Sequence, residues 1–310
     1  MAGQIWETDS AGGYMYSDQL STVLRNSMQP QSRFQQHCDD DDFTDKGLNK
    51  GDTFHWNVYS DVAQQGGRLA ENQQMPETSF TITQGTGTVY EFGNSVPYSG
   101  LLDDMSAHPV KQIINKALKN DATKAFEKEA AAQFALTPLA VSVGASTAAI
   151  SMAIDGAPTQ TNSVAMNTTH VKLISDQMKE RNIPVYSDGN YRAIGRPSSF
   201  RGFKDGLEAV HSYVPEGFRA ILNGEVGRSY EGIRFFEQTT IAAKNSILRD
   251  DVFFFGEDTV IEAIVTPPEI RGKMPGDYGR DRGVAWYALE GFSIVHTFAA
   301  QARIVRYCSL

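Results

Sequence analysis

Cysteine is scarce: Cys38 and Cys308 are the two in 310 residues. They form no CxxC pair, which excludes a structural zinc site of the usual spacing. They read as free thiols in a reducing cytoplasm, the alternative being a bridge between the two chain ends, within or between subunits. The six histidines, His37, His55, His108, His170, His211 and His296, include no HxxxH pair. No metal centre is expected, and each reads as a surface or capping residue. A GxSxG elbow is missing, and nothing of Walker or dinucleotide type surrounds Gly85-Thr86-Gly87. Cys38 beside His37 makes no nucleophile pair, because adjacent residues in a strand point to opposite faces. The chain is therefore not expected to be an enzyme or to hold a cofactor. A basic-then-apolar leader is lacking, so no secretory signal is expected. The longest weakly polar run, Leu139 to Ile154, carries Ser142, Ser146, Thr147 and Ser151, too short and too polar to span a bilayer. Positive charge is in deficit, 28 basic residues against 37 acidic, a net charge of −9. That argues against gripping nucleic acid by bulk charge and leaves room for a locally basic face.

What is present is ordinary for a folded soluble protein: 41% hydrophobic and 21% charged residues. The length suits one large domain or two small ones with real cores. The dominant feature is the stretch Ser106–Ala135. Val110, Ile113, Ile114, Ala117, Leu118, Ala122, Ala125, Phe126 and Ala130 recur at steps of three and four, one stripe of an α-helix. Lys111, Lys116, Lys119, Lys124 and Lys128 lie mostly off that stripe. Ser106 is placed to cap the start, Asp103 and Asp104 put negative charge near it, and Pro109 falls in the first turn. Such a helix would run about 45 Å. It reads either as a core helix of an α+β domain or as a spine carrying an extended subunit.

Before it, Met1–Lys50 has no sustained periodicity and reads as a polar arm that borrows a surface from elsewhere. The run Asp39–Asp42 fails EF-hand spacing, because Phe43 and Lys46 stand where oxygen ligands are needed, and reads as a solvated acidic turn. Phe54, Trp56 and Val58 alternate in a first strand; a second runs from Ser79 to Phe92 with Phe80 and Ile82 on one face. Gly85-Thr86-Gly87 reads as a bulge or kink. The pair makes a long hairpin that needs a surface to lie on.

After the helix, Asn167 or Thr168 caps a second one with Val171, Ile174 and Met178 buried, ended by Pro184. Tyr191–Ile194 reads as a strand, and Ser198 or Ser199 opens a short helix toward Ala209. Gly224 and Gly227 frame a tight turn presenting Glu225 and Arg228, read as a turn-stabilising or intersubunit ion pair. Strands follow around Ile233 and Phe235, at Val252–Phe255 and at Val260–Val265. Pro267–Gly283 reads as a charged, glycine-rich loop. Alternation returns from Val284 to Tyr307.

Two passages carry a resemblance. Phe92-Gly-Asn-Ser-Val through Leu101-Leu-Asp-Asp, followed by the long helix, resembles the entry to the spine helix of tailed-bacteriophage major capsid proteins. Asn223-Gly-Glu-Val-Gly-Arg, then Gly232-Ile-Arg-Phe-Phe-Glu-Gln-Thr, resembles a motif of the branch related to the coat of phage N-four. The order of elements agrees from about Gly51 onward, while Tyr191–Val214 and Pro267–Gly283 depart from the family pattern.

The resemblance implies an α+β, Hong Kong-97-like coat fold, which encapsulins also use. It implies an arm at 1–50, an extended hairpin loop at 51–98, a peripheral domain of 99–166 and 284–310 with its spine helix at 106–135, and an axial domain at 167–283. It also implies self-assembly as pentamers and hexamers around double-stranded DNA, with portal and scaffolding proteins as partners and a decoration or cement protein as a further candidate. The scaffold is expected to be a separate protein, since no large N-terminal extension supplies one. Candidate subunit contacts are Phe54, Trp56, Phe80, Ile82, Glu225 and Arg228; candidate DNA-facing residues are the five lysines of the long helix. The alternatives are an encapsulin-like compartment with an enzyme cargo and an α+β enzyme with an unseen site.

Overall fold

The computed structural model describes residues 32–42, 53–62, 64–71, 74–106, 109–211, 229–244, 246–274 and 277–310. In chain order the first elements are β1 (Asp39–Asp42), β2 (Thr53–Tyr59), β3 (Ile82–Thr88), β4 (Tyr90–Ser99), α1 (Gly100–Met105) and α2 (Val110–Phe134). The middle of the chain gives β5 (Leu139–Ser142), β6 (Ser151–Ala153), α3 (Thr168–Glu180), β7 (Tyr191–Gly195), α4 (Arg201–His211) and β8 (Ile233–Glu237). Last come β9 (Val252–Phe255), β10 (Val260–Gly272), β11 (Asp281–Ile294) and β12 (Ile304–Tyr307). These α+β elements form two compact units. The first combines the described part of Met1–Gly51 with Val89–Ala131 and Glu262–Gly291; the second combines Asp52–Thr88, Ala132–Ile261 and Phe292–Leu310.

The helix expected over Ser106–Ala135 is α2, which runs from Val110 to Phe134, and a separate short helix, α1, precedes it. Ser99 has extended backbone and its hydroxyl accepts the Leu102 N–H at 3.2 Å, which starts α1. Ser106 closes α1 instead of opening the next helix: its N–H donates to the Leu102 carbonyl at 3.0 Å and its backbone is extended. Pro109 then stands just ahead of α2, its carbonyl taking the N–H groups of Gln112 and Ile113. Asp103 faces Lys111 at 3.1 Å and Arg282 at 2.8 Å, so its charge ties α1 to α2 and β11.

Along α2 the stripe is as spaced. Val110, Ile114, Leu118, Ala122, Phe126, Ala130 and Phe134 are buried, whereas Ala117 is exposed. The Phe126 ring meets Phe92 on β4 and Trp286 on β11 edge to face, with centroids 5.6 Å away in each case. Asp121 bridges the same strands, accepting Trp286 Nε1–H at 3.0 Å and Asn94 Nδ2–H at 2.9 Å. Asn94 and Trp286 are cross-strand partners.

The first sheet has the order β1-β10-β11-β4. Two expectations are corrected here. The acidic run Asp39–Asp42 is an edge strand beside β10 rather than a turn. The stretch Pro267–Gly283 is mostly strand, the end of β10 and the start of β11, with Lys273 N–H donating to the Gly283 carbonyl at 2.8 Å. Pro267, Pro268 and the charges conceal that strand because its far half is exposed and shows no alternation.

The second sheet has the order β6-β5-β12-β9-β7-β8. β12 lies parallel to β5 and antiparallel to β9, and β7 pairs parallel with β8. Val171, Ile174 and Met178 of α3 and Phe203 and Leu207 of α4 bury against Leu139, Val141, Ala193, Phe254 and Val305 of this sheet. Asn167 caps α3 reciprocally with His170, and Asn182, at φ 54°, ends it before Pro184.

The expected second strand of the hairpin is also divided. β3 stops at Thr88, and Tyr90–Phe92 belong to β4, which pairs with β11. The glycines Gly85 and Gly87 make no bulge, since β2 and β3 pair without interruption from Thr53↔Thr88 to Tyr59↔Ile82. They are glycines because rings lie on them. A β-carbon at Gly85 would sit 2.2 Å from Trp56 Cε2, and one at Gly87 2.2 Å from Phe54 Cζ.

Candidate assembly surfaces

The hairpin β2–β3 borders a groove of about 920 Å³ within the second unit. Trp56, Tyr59, Phe80 and Ile82 form one side; Ile261, Val295 and His296 lie across from them. Trp56 Nε1–H donates to the Val295 carbonyl at 3.1 Å, which fixes the hairpin at that point. The Phe54 and Trp56 rings lie 5.6 Å apart, and Phe54 is buried within its own hairpin. Phe80 and Ile82 are different: they are 58% and 60% exposed, and Tyr59 is 76% exposed, so these three form the part a second molecule can reach.

A polar cluster closes the groove. Asp258, in left-handed backbone at φ 56°, accepts Arg303 Nη1–H at 2.9 Å and stands 3.2 Å from His296 Nε2. The hydrogen bond from His296, with the Arg303 charge, holds the Asp258 carboxyl below its usual range, while partial burial works the other way. His296 is itself buried, which corrects its reading as a surface or capping residue. His170 does cap a helix, and burial lowers its pKa.

All five lysines of α2, Lys111, Lys116, Lys119, Lys124 and Lys128, are exposed. Lys111 reaches Asp103. Glu225 and Arg228 lie outside the described residues.

Sequence reasoning missed one site altogether. Glu127, on α2, is 1% exposed. Its carboxylate accepts the N–H groups of Arg33 at 2.9 Å, Phe34 at 2.9 Å and Gln35 at 3.2 Å, and the Ser32 hydroxyl at 3.2 Å. In sequence it is one more charge among helical lysines and glutamates; only its place beside Phe126 hints at the buried side. The arm residues from Ser32 thus dock on their own chain, not only on a borrowed surface.

Among the described residues no group of three or more His, Cys, Asp or Glu is placed to hold a metal ion, and no helix is long and apolar enough to cross a membrane. Cys38 and Cys308 are free thiols, and Cys308 is buried.

No family model matches the chain, and no curated protein matches it. Solved structures do. The capsid structure of the cyanophage P-SCSP1u is similar with a TM-score of 0.68 at 10% identity, covering 96% of this chain and 93% of that one. The acid-stable capsid structure of Helicobacter pylori bacteriophage KHP30 gives 0.67 at 11% identity, over 94% of this chain and 95% of that one. The capsid asymmetric unit of cyanophage Pam1 gives 0.65 at 13% identity, over 94% and 96%. At such identities the likeness is one of fold, and it spans nearly the whole of both chains: this protein has the phage capsid fold.

Proposed function

We propose that the chain is a major capsid protein, a structural subunit that assembles as pentamers and hexamers into an icosahedral shell around the double-stranded DNA of a tailed phage. The observation that carries this reading is the extent of the fold likeness, 96% of this chain and 93% of the P-SCSP1u capsid protein. A shared module would cover a part; here whole subunits correspond.

In this reading residues 1–50 are the arm, 51–98 the extended loop, 99–166 with 284–310 the peripheral domain, and 167–283 the axial domain. Tyr59, Phe80 and Ile82 offer apolar surface to a neighbouring subunit, shaped from within by Phe54 and Trp56. Glu225 and Arg228 supply a further intersubunit ion pair. The exposed lysines of α2 face the packaged DNA and neutralise phosphates without sequence preference. Weak contacts repeated by symmetry close the shell. Its further partners are portal, scaffolding and decoration proteins, and its place is the virion capsid, assembled in the host cytoplasm.

Electron microscopy of the purified protein, expressed alone and with a scaffolding protein, tests the proposal. Closed shells or capsomers are expected; a small monodisperse species under both conditions overturns it. Extracted contents decide the cargo: DNA supports the phage reading, and an enzyme in its place favours the encapsulin-like one.

A further inference from the structure

Ser32–Asp42 runs between two fixed points of the first unit. At one, Glu127 gathers the backbone N–H groups of Arg33, Phe34 and Gln35 together with the Ser32 hydroxyl. At the other, β1 lies along β10 at the edge of its sheet. Between them is a single 3-10 turn, Gln35–His37, closed by the Cys38 N–H on the Gln35 carbonyl at 3.1 Å. Gln35 Nε2–H donates to Glu262 on β10 at 2.8 Å, so the turn is tied to helix and sheet at once. The Phe34 ring is fully buried.

A carboxylate is kept in an interior only where donors compensate its lost hydration. For Glu127 the donors named above all come from residues 32–35. A backbone that presents consecutive N–H groups to one anion is held by its conformation and not by its side chains.

We propose that Ser32–Asp42 is a strap, latched by Glu127, that fixes where the N-terminal segment leaves the subunit and keeps the β10 edge from pairing with other chains. The inference rests on the shell reading and adds a regulatory contact to it. The segment Met1–Gln31 is polar, with Trp6, Tyr14, Tyr16, Leu20, Val23 and Leu24 scattered through it. Such a composition buries too little apolar surface alone, and under the shell reading the surface it borrows is that of a second copy of this chain. Anchoring one end holds the segment at high effective concentration beside that copy, whereas a free end dilutes it. The four aspartates of β1 serve the second task, since charges on an outer strand discourage further strand addition. Closed shells need the first contact and must avoid the second.

The test uses the full chain under conditions that close wild-type shells, with Glu127→Gln as the variant. Glutamine keeps the shape but turns an –NH2 group toward N–H donors. Hydrogen exchange at the amides of Arg33, Phe34 and Gln35 is expected to quicken at least ~tenfold, with the amides of α2 unchanged, as befits loss of charge-assisted bonds. Closed shells are expected to fall by a similar factor in favour of capsomers and fibrous aggregates. Unchanged protection at the three amides overturns the latch; fast exchange with wild-type shell yield overturns its role in closure. Should the variant fail to fold, Gln35→Ala removes the tie to Glu262, together with the long 3.5 Å bond from the Ser32 hydroxyl, and is read the same way, with exchange expected ~5-fold faster, the worth of one ordinary hydrogen bond. No change in either readout then overturns the proposal. Wild-type chains that never close shells count against the shell reading instead, and the exchange measurement still decides the latch.

Discussion

The indole of Trp56 fills the space that a side chain on Gly85 would need, its Cε2 lying 2.2 Å from where a β-carbon would stand. Phe54 stands in the same relation to Gly87, two pairs further along the ladder. Two aromatic rings thus cover two glycines across the strands, and the hairpin gains a packed face that its own small residues cannot supply. Gly85→Ala is expected to push the indole off β3, at a cost of about 1–3 kcal/mol by overpacking. Loss of the Trp56 bond to Val295 should follow. A red-shifted tryptophan emission and an earlier urea transition are the readouts; Gly66→Ala, in open space, serves as the neutral control.

Asp258 makes stability depend on acid. Its carboxyl is held below the ordinary value of 3.8, first by the hydrogen bond from His296 and then by the Arg303 charge. A carboxyl lowered by folding contributes stability that is fully present above its unfolded pKa and is lost as the pH falls through the folded value. Wild-type stability should therefore drop as the pH falls below about 4, where this contribution disappears. Asp258→Asn should begin slightly less stable at neutral pH, by about 1 kcal/mol or less for a part-exposed pair, and then fall less steeply. Asparagine tolerates left-handed backbone, so the variant isolates the charge. Urea midpoints measured across the acid range check the slope.

Replacing Lys116, Lys119, Lys124 and Lys128 by glutamine should leave folding and shell formation intact, because all four are exposed and lie off the buried stripe. Under the capsid reading, DNA retention should become less sensitive to salt, each lost phosphate contact removing about 0.9 from the logarithmic slope. Genome content of purified particles across a salt series is the measurement, and unchanged retention removes the lysines from the DNA-facing surface. Lys111 is left in place because it holds Asp103.

The two thiols should behave differently. Cys308 is fully buried, and burial pushes its thiol up from the usual value. Cys38 is half-buried. Maleimide at neutral pH should label Cys38 in the native protein and reach Cys308 only after unfolding, as read by mass spectrometry of the peptides.

How much of this was legible depended on whether burial leaves a period. The stripe from Val110 to Ala130 was readable because one face of α2 is covered and the other is not. So was the capping of α3 by Asn167, where the side chain does a local job. The break before α2 was hidden because Ser106 is as good at closing a helix here as at opening one. The far half of β10 was hidden because it is exposed on both faces and carries two prolines. Glu127 did not stand out because its donors are the Ser32 hydroxyl and backbone N–H groups 92–94 positions away, and backbone groups have no sequence signature. The groove showed only in part: Trp56 and Phe80 stood out as aromatic, while His296, Asp258 and Arg303 converge from distant stretches.

β12 lies between β5 and β9, at the middle of the six-stranded sheet. During synthesis, β5 leaves the ribosome long before its parallel neighbour exists, and no earlier strand can stand in without altering the pairing. The nascent chain must hold an unfilled gap in this six-stranded sheet until residues 304–307 emerge. Closure is then a late, long-range event, slow by the standards of local contacts and dependent on protection from aggregation in the interval. On this plan the sheet is completed only once residues 304–307 have been translated.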